Sequence, residues 1–141
     1  MIEIAKFFPE LKVFQQACPL WVPLVENNEH EGAGADYFVK KYLDALLLQS
    51  PNIDTIVLGC THYPLLINKI RTCLPASVQV IAQGEIVAKS LVDYLQRHPE
   101  MEAVCSKHGQ IAYFTTESAM AFDEKAAIFM GEAVASKHLG L

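Results

Sequence analysis

The chain has 141 residues, enough for one domain with a respectable core, and it is on the apolar side: hydrophobic residues make up 52% and charged residues 19%. A formal net charge of −5, from 11 Lys and Arg against 16 Asp and Glu, comes without any basic cluster and disfavours nucleic-acid binding. No apolar run approaches the roughly 20 residues of a membrane span, and no basic-then-apolar signal core opens the chain, so a cytoplasmic location is the default expectation.

In chain order, residues 2–8 are short and apolar and read as the end of a helix whose beginning is absent. Residues 11–16 alternate well enough for a strand, and residues 19–25 open a short helix. Residues 27–34 are polar and glycine-containing, a surface loop. Residues 35–49 form a strong helix whose buried face, at helical spacing, is Phe38, Tyr42, Ala45 and Leu46, with Leu48 as a further candidate. Residues 53–58 are apolar and β-branched after the turn signals Pro51 and Asn52, a buried strand of the parallel-sheet kind. Pro64 suits a first helical position, and Leu65, Leu66, Ile67 and Ile70 give the next helix its apolar face.

Beyond it come a strand at 77–82 and an amphipathic helix at 84–98 with Val87, Leu91, Val92 and Leu95 inward. A mixed polar connection at 99–109 leads to a strand at 110–115 and a final helix at 118–134, capped by Ser118. Strands alternating with helices at this interval indicate an α/β fold with a mainly parallel sheet and flanking helices.

The chemistry-bearing stretch is Ile56-Val57-Leu58-Gly59-Cys60-Thr61-His62-Tyr63-Pro64. It carries Cys60 off the end of a strand towards the start of a helix, where unpaired backbone N–H groups favour a thiolate and where open α/β sheets bind ligands. A single apolar-flanked cysteine is often only packing, but the imidazole of His62, two residues on, can stabilise a thiolate or position a carboxylate. The four cysteines, at 18, 60, 73 and 105, lack CxxC spacing and read as free thiols. Cys60-x-His62 with Cys105-x-x-His108 could be drawn as a zinc site, but the halves are too far apart for a short zinc module, and no metal is expected.

Gly59-Cys60-Thr61-His62-Tyr63-Pro64 resembles the second cysteine motif of glutamate racemase, and Ala17-Cys18-Pro19-Leu20-Trp21-Val22-Pro23-Leu24-Val25-Glu26 resembles the motif before it in that family. Gly84-Glu85-Ile86-Val87-Ala88 and Tyr113-Phe114-Thr115-Thr116, with Phe122 and Phe129, are similar to weaker features of the family's C-terminal region. His62 favours the glutamate over the aspartate branch. The resemblance implies cofactor-independent interconversion of L- and D-glutamate, supplying D-glutamate for peptidoglycan, with two cysteines acting as acid and base on opposite faces of the α-carbon. It makes Cys60 the second catalytic cysteine, His62 its assistant and Glu26 the acidic residue near this half-site. Thr61 and His62 become the substrate-contacting pair. Without the resemblance, Glu26 is a solvated charge beside Glu29 and Glu31.

The family's N-terminal Asp-Ser pair, glycine-rich turn and first catalytic cysteine have no counterpart here. Cys18 and Cys73 read as packed, and Cys105 lies in the polar connection. The chain therefore resembles the C-terminal half of a racemase. On that resemblance, residues 1–109 are its second α/β domain and residues 110–141 a strand and helix that return to the missing N-terminal domain, with an open strand edge that invites a homodimer. The half is expected to be inactive alone. Two other classes stay open: a cysteine-dependent acyl-transfer hydrolase, disfavoured by a base so near its nucleophile, and a non-catalytic ligand-binding or subunit-interaction domain.

Overall fold

The computed structural model describes residues 2–140, in two compact units that divide between Ile81 and Ala82. The first contains α1 (Ile2–Phe7), α2 (Trp21–Glu26), α3 (Ala33–Leu47), β1 (Thr55–Leu58), a 3-10 turn (Tyr63–Leu66), α4 (Ile67–Thr72) and β2 (Gln79–Ala82). The buried apolar side chains among the described residues all lie here: Cys18, Trp21, Val25, Ala35, Val39, Leu43, Ile56, Leu58, Leu66 and Ile70. Helix α3 packs against α2 and α4, and β1 pairs with β2.

The buried stripe of α3 is Ala35, Val39 and Leu43, at i, i+4 and i+8. The expected stripe of Phe38, Tyr42, Ala45 and Leu46 is only half-buried, and Leu48 at the C-cap is 85% exposed. Ala35, Val39 and Leu43 take the centre of the face that α2 and α4 cover. The aromatics are displaced to the flank, where Phe38 stacks on Tyr42 at 6.3 Å between centroids. Strand β1 also differs from expectation. Ile56 and Leu58 are buried, but Val57 between them is 58% exposed, so one face is covered and the other is not. Residues 11–16 form no strand; their alternation finds no ladder among the described residues, and the segment is held instead by Gln49 Nε2 donating to the Gln15 carbonyl at 3.1 Å.

The second unit contains α5 (Gln83–Arg97), α6 (Pro99–Val104), β3 (Tyr113–Thr115), α7 (Ala119–Met130) and β4 (Ser136–His138). Strands β3 and β4 are parallel, pairing Tyr113 with Ser136, Phe114 with Lys137 and Thr115 with His138. Helix α7 crosses between them, a βαβ arrangement. Its N-cap is Ser118, whose hydroxyl accepts from the Ala121 N–H at 3.4 Å. It ends four residues before the expected 134, because Gly131 takes a left-handed conformation at φ 70° and β4 follows. Helix α6 replaces the expected irregular connection: Pro99 occupies its start, and Glu100 and Glu102 lie in its first turn.

None of the helices of this unit has a buried residue. Val87, Leu91 and Val92 of α5, expected to point inward, are 61%, 55% and 56% exposed, and only Leu95 is half-buried. The apolar stripe of α5 is present, but nothing described in its own unit covers it. Among the described residues no helix is long and apolar enough to cross a membrane.

Candidate active site

Strand β1 delivers the chain to Gly59 and Cys60, where a tight turn closes with the Tyr63 N–H donating to the Cys60 carbonyl at 3.2 Å. Pro64 stands in the first turn of the 3-10 segment that follows, its missing N–H costing nothing there. The α-helix expected from Pro64 begins three residues later, at Ile67. Leu66 and Ile70, 1% and 0% exposed, pin this connection into the core beneath the turn. Thr61 is thereby left exposed, and Cys60 and His62 half-buried.

Within the turn, His62 faces two ways. Its Nδ1 is 3.8 Å from Cys60 Sγ and 3.4 Å from Thr61 Oγ1, while its Nε2 is 3.1 Å from Glu26 Oε1, the last residue of α2. A carboxylate only accepts, so Nε2 carries the hydrogen; in the neutral ring the Nδ1 lone pair then faces the sulfur and the threonine hydroxyl. Glu26 thus selects the tautomer in which the His62 Nδ1 lone pair can take a proton from Cys60. The pair is partly open to water, with side chains 23% and 37% exposed. All four residues singled out in the sequence, Glu26, Cys60, Thr61 and His62, lie in this one cluster.

The other thiols are elsewhere or otherwise engaged. Cys18 is buried, which pushes its thiol up to about 11, although the Tyr63 hydroxyl donating to it acts in the opposite direction. The Tyr63 hydroxyl is raised in turn, first by its own desolvation and then by the neighbouring Cys18 and Cys60 sulfurs. Cys73 is half-buried at the C-cap of α4, and Cys105 is exposed, its thiol directed at the Met101 carbonyl at 3.3 Å. Among the described residues no group of three His, Cys, Asp or Glu side chains is arranged to hold a metal ion.

Two hollows in the first unit stand out, one of about 270 Å³ beside Arg71 and Pro75 and one of about 230 Å³ beside Leu24 and Phe38. Neither is lined by Cys60 or His62. The sequence reading passed over Tyr63 and Trp21, whose rings meet edge to face at 4.7 Å directly behind the turn. A signal for them exists: Cys18-Pro19-Leu20-Trp21 and Cys60-Thr61-His62-Tyr63 share the spacing cysteine-x-x-aromatic.

No family model matches the chain. It is 34% identical over 142 aligned positions to the glutamate racemase of Streptococcus gordonii, covering 99% of this chain and 52% of that protein. Against the glutamate racemase of Shouchella clausii the identity is 41% over 126 positions, covering 87% and 44%. The crystal structure of a glutamate racemase isoform from Bacillus anthracis superposes with a TM-score of 0.80 at 31% identity, covering 98% of this chain and 50% of that one. That of the Thermus thermophilus enzyme in complex with β-chloro-D-alanine gives 0.77 at 25%, covering 99% and 53%. The chain spans about half the length of the curated relatives it matches. Along nearly its whole length it is therefore similar, in sequence and in fold, to about half of a glutamate racemase, an isomerase, consistent with the C-terminal half.

Proposed function

We propose that this chain supplies one of the two acid/base halves of a cofactor-independent glutamate racemase. The observation that carries the reading is the Cys60–His62–Glu26 cluster at the end of β1, in a chain similar to half of such enzymes. Cys60 as thiolate removes the α-proton from one face of glutamate, and a cysteine of the complementary half donates a proton to the other. After inversion the two sulfurs have exchanged protonation states, so each serves as base in one direction and acid in the other. His62 accepts the Cys60 proton when the thiolate is needed and returns it afterwards, held in the right tautomer by Glu26. Thr61 is exposed beside the sulfur and contributes hydrogen-bonding groups to the substrate. The carbanion-like transition state needs such positioned donors in a cleft from which water is excluded.

The reading is supported by how open the cluster is here. Cys60 and His62 line neither of the two hollows described above, and the α5 stripe of Val87, Leu91 and Val92 is more than half exposed, as expected where a complementary half would complete both cleft and core. The chain alone then lacks the opposing proton donor and is inactive, behaving as a non-catalytic domain. The reading retains residues 1–109 as the second α/β domain and residues 110–141 as the returning strand and helix. The intact enzyme acts in the cytoplasm, supplies D-glutamate for peptidoglycan, and pairs with a second copy through open strand edges.

The test is α-proton exchange of L- and D-glutamate in D₂O, followed by NMR, on this chain alone and mixed with a complementary half bearing the first cysteine. Exchange with inversion only in the mixture is the expected result. No exchange in a verified, folded complex overturns the assignment.

A further inference from the structure

The two cysteine-x-x-aromatic segments have the same local geometry. The Trp21 N–H donates to the Cys18 carbonyl at 3.1 Å, and the Tyr63 N–H donates to the Cys60 carbonyl at 3.2 Å, so each segment is a four-residue turn beginning with a thiol and ending with a ring. The two rings meet edge to face, with centroids 4.7 Å apart and planes at 78°. Trp21 is fixed from behind: it is 2% exposed, its Nε1–H donates to the Phe38 carbonyl at 3.3 Å, and Tyr42 lies against it at 6.3 Å.

The consequence concerns the active cluster. Trp21 is the first residue of α2 and Glu26 the last; Tyr63 directly follows His62. A helix of six residues with no side-chain cap at its start has little rigidity of its own. The Glu26 to His62 bond at 3.1 Å spans two separately formed segments, and the ring contact ties those segments together at their other end. We propose that Tyr63 is a positioning residue: by seating its ring on Trp21 it locks the Cys60 turn to α2 and so keeps Glu26, His62 and Cys60 in register.

This rests on the racemase reading only for the meaning of the cluster, and it is testable on the 141-residue chain without turnover. In ¹⁵N-histidine-labelled protein at pH 8.5, the imidazole nitrogen shifts of His62 report its tautomer. Site-resolved alkylation by iodoacetamide, with Cys105 as internal control, reports the reactivity of Cys60. Glu26→Gln, which removes the charge and can donate as well as accept, defines the signature of a lost tautomer lock. Tyr63→Leu is expected to reproduce that signature, moving His62 towards a mixed tautomer and slowing Cys60 alkylation about fivefold while Cys105 is unchanged; Tyr63→Phe, which keeps the ring, restores both readouts. The double variant Tyr63→Leu with Glu26→Gln should be no worse than either single one.

A folded Tyr63→Leu chain with parental His62 shifts and Cys60 rates overturns the proposal, as does slowed alkylation with the His62 tautomer unmoved. Should Tyr63→Leu fail to fold, Trp21→Phe, which shrinks the opposing ring face, decides by the same two readouts. Failure of the racemase reading shows separately, as absent α-proton exchange in the complemented enzyme with these signatures intact.

Discussion

Ile70→Ala and Leu91→Ala form a matched pair, since each truncates an aliphatic side chain on a helix. Ile70 is 0% exposed in α4, beneath the Cys60 turn, on a helix packed against α3; Leu91 on α5 is 55% exposed. Removing the buried isoleucine loses its transfer free energy and leaves a cavity, together about 3 kcal/mol. Removing the leucine forfeits less than half of a full burial worth roughly 1.5–3 kcal/mol and leaves no cavity, so about 1 kcal/mol or less. Hydrogen exchange resolved by segment is the appropriate assay, because two units need not unfold together. Ile70→Ala should raise the opening constant of α3 and α4 amides about a hundredfold, and Leu91→Ala that of α5 by no more than about fivefold. Bound to the complementary half, Leu91→Ala should become as costly as Ile70→Ala. A Leu91→Ala cost equal to that of Ile70→Ala in the chain alone would refute the claim that α5 is uncovered. An unchanged small cost in the complex would refute the claim that the other half covers it.

In the complemented enzyme, Cys60→Ala should abolish α-proton exchange, whereas Cys73→Ala, at the C-cap of α4, should lower the melting temperature and leave exchange measurable; equal loss from both would sink the assignment of Cys60. Glu26→Gln should reduce kcat about 10- to 100-fold with chain stability changed by less than about 1 kcal/mol, since the pair it breaks is partly exposed. Cys18 gives a pH effect of definite sign. Burial holds its thiol up to about 11 in the fold against an ordinary value of 9.0, so the native state binds the proton more tightly. Because desolvation penalises the buried thiolate, the fold keeps its full stability below pH 9 and loses on the order of 2–3 kcal/mol as pH rises through about 11. Urea unfolding of Cys18→Ala across that window should show a flatter slope, and an identical slope would count against the buried-thiol account.

What the sequence made legible was local. The apolar run before Gly59 and the Ser118 cap act within a few residues and lie in the elements expected of them, while Pro64 opens a 3-10 turn just ahead of the helix expected to start there. The clustering of Cys60 with His62 follows from their separation of two. That of Glu26, 36 residues away, follows from no spacing and came from the family resemblance. Periodicity located the apolar stripes of α3 and α5 without saying what would lie against them. In α3 the covered stripe is Ala35, Val39 and Leu43, one step round the helix from the expected one; in α5 nothing among the described residues of its own unit covers Val87 and Leu91. Strand β4 was invisible because Ser136-Lys137-His138 has no β signature and is extended only because β3 lies alongside. Residues 11–16 are the converse, alternation without a partner strand.

The bond between His62 and Glu26 also has a temporal meaning. Cys60, Thr61 and His62 come together as soon as their turn forms, whereas the carboxylate must be carried back across 36 positions, through α3 and β1. Closing so long a loop is entropically costly for the chain and is offset only once Val25, Val39, Leu43 and Ile70 have condensed around it. The Glu26 contact is therefore expected to depend on the assembled core, and a partly opened chain keeps its Cys60 thiol beside His62 without that anionic neighbour.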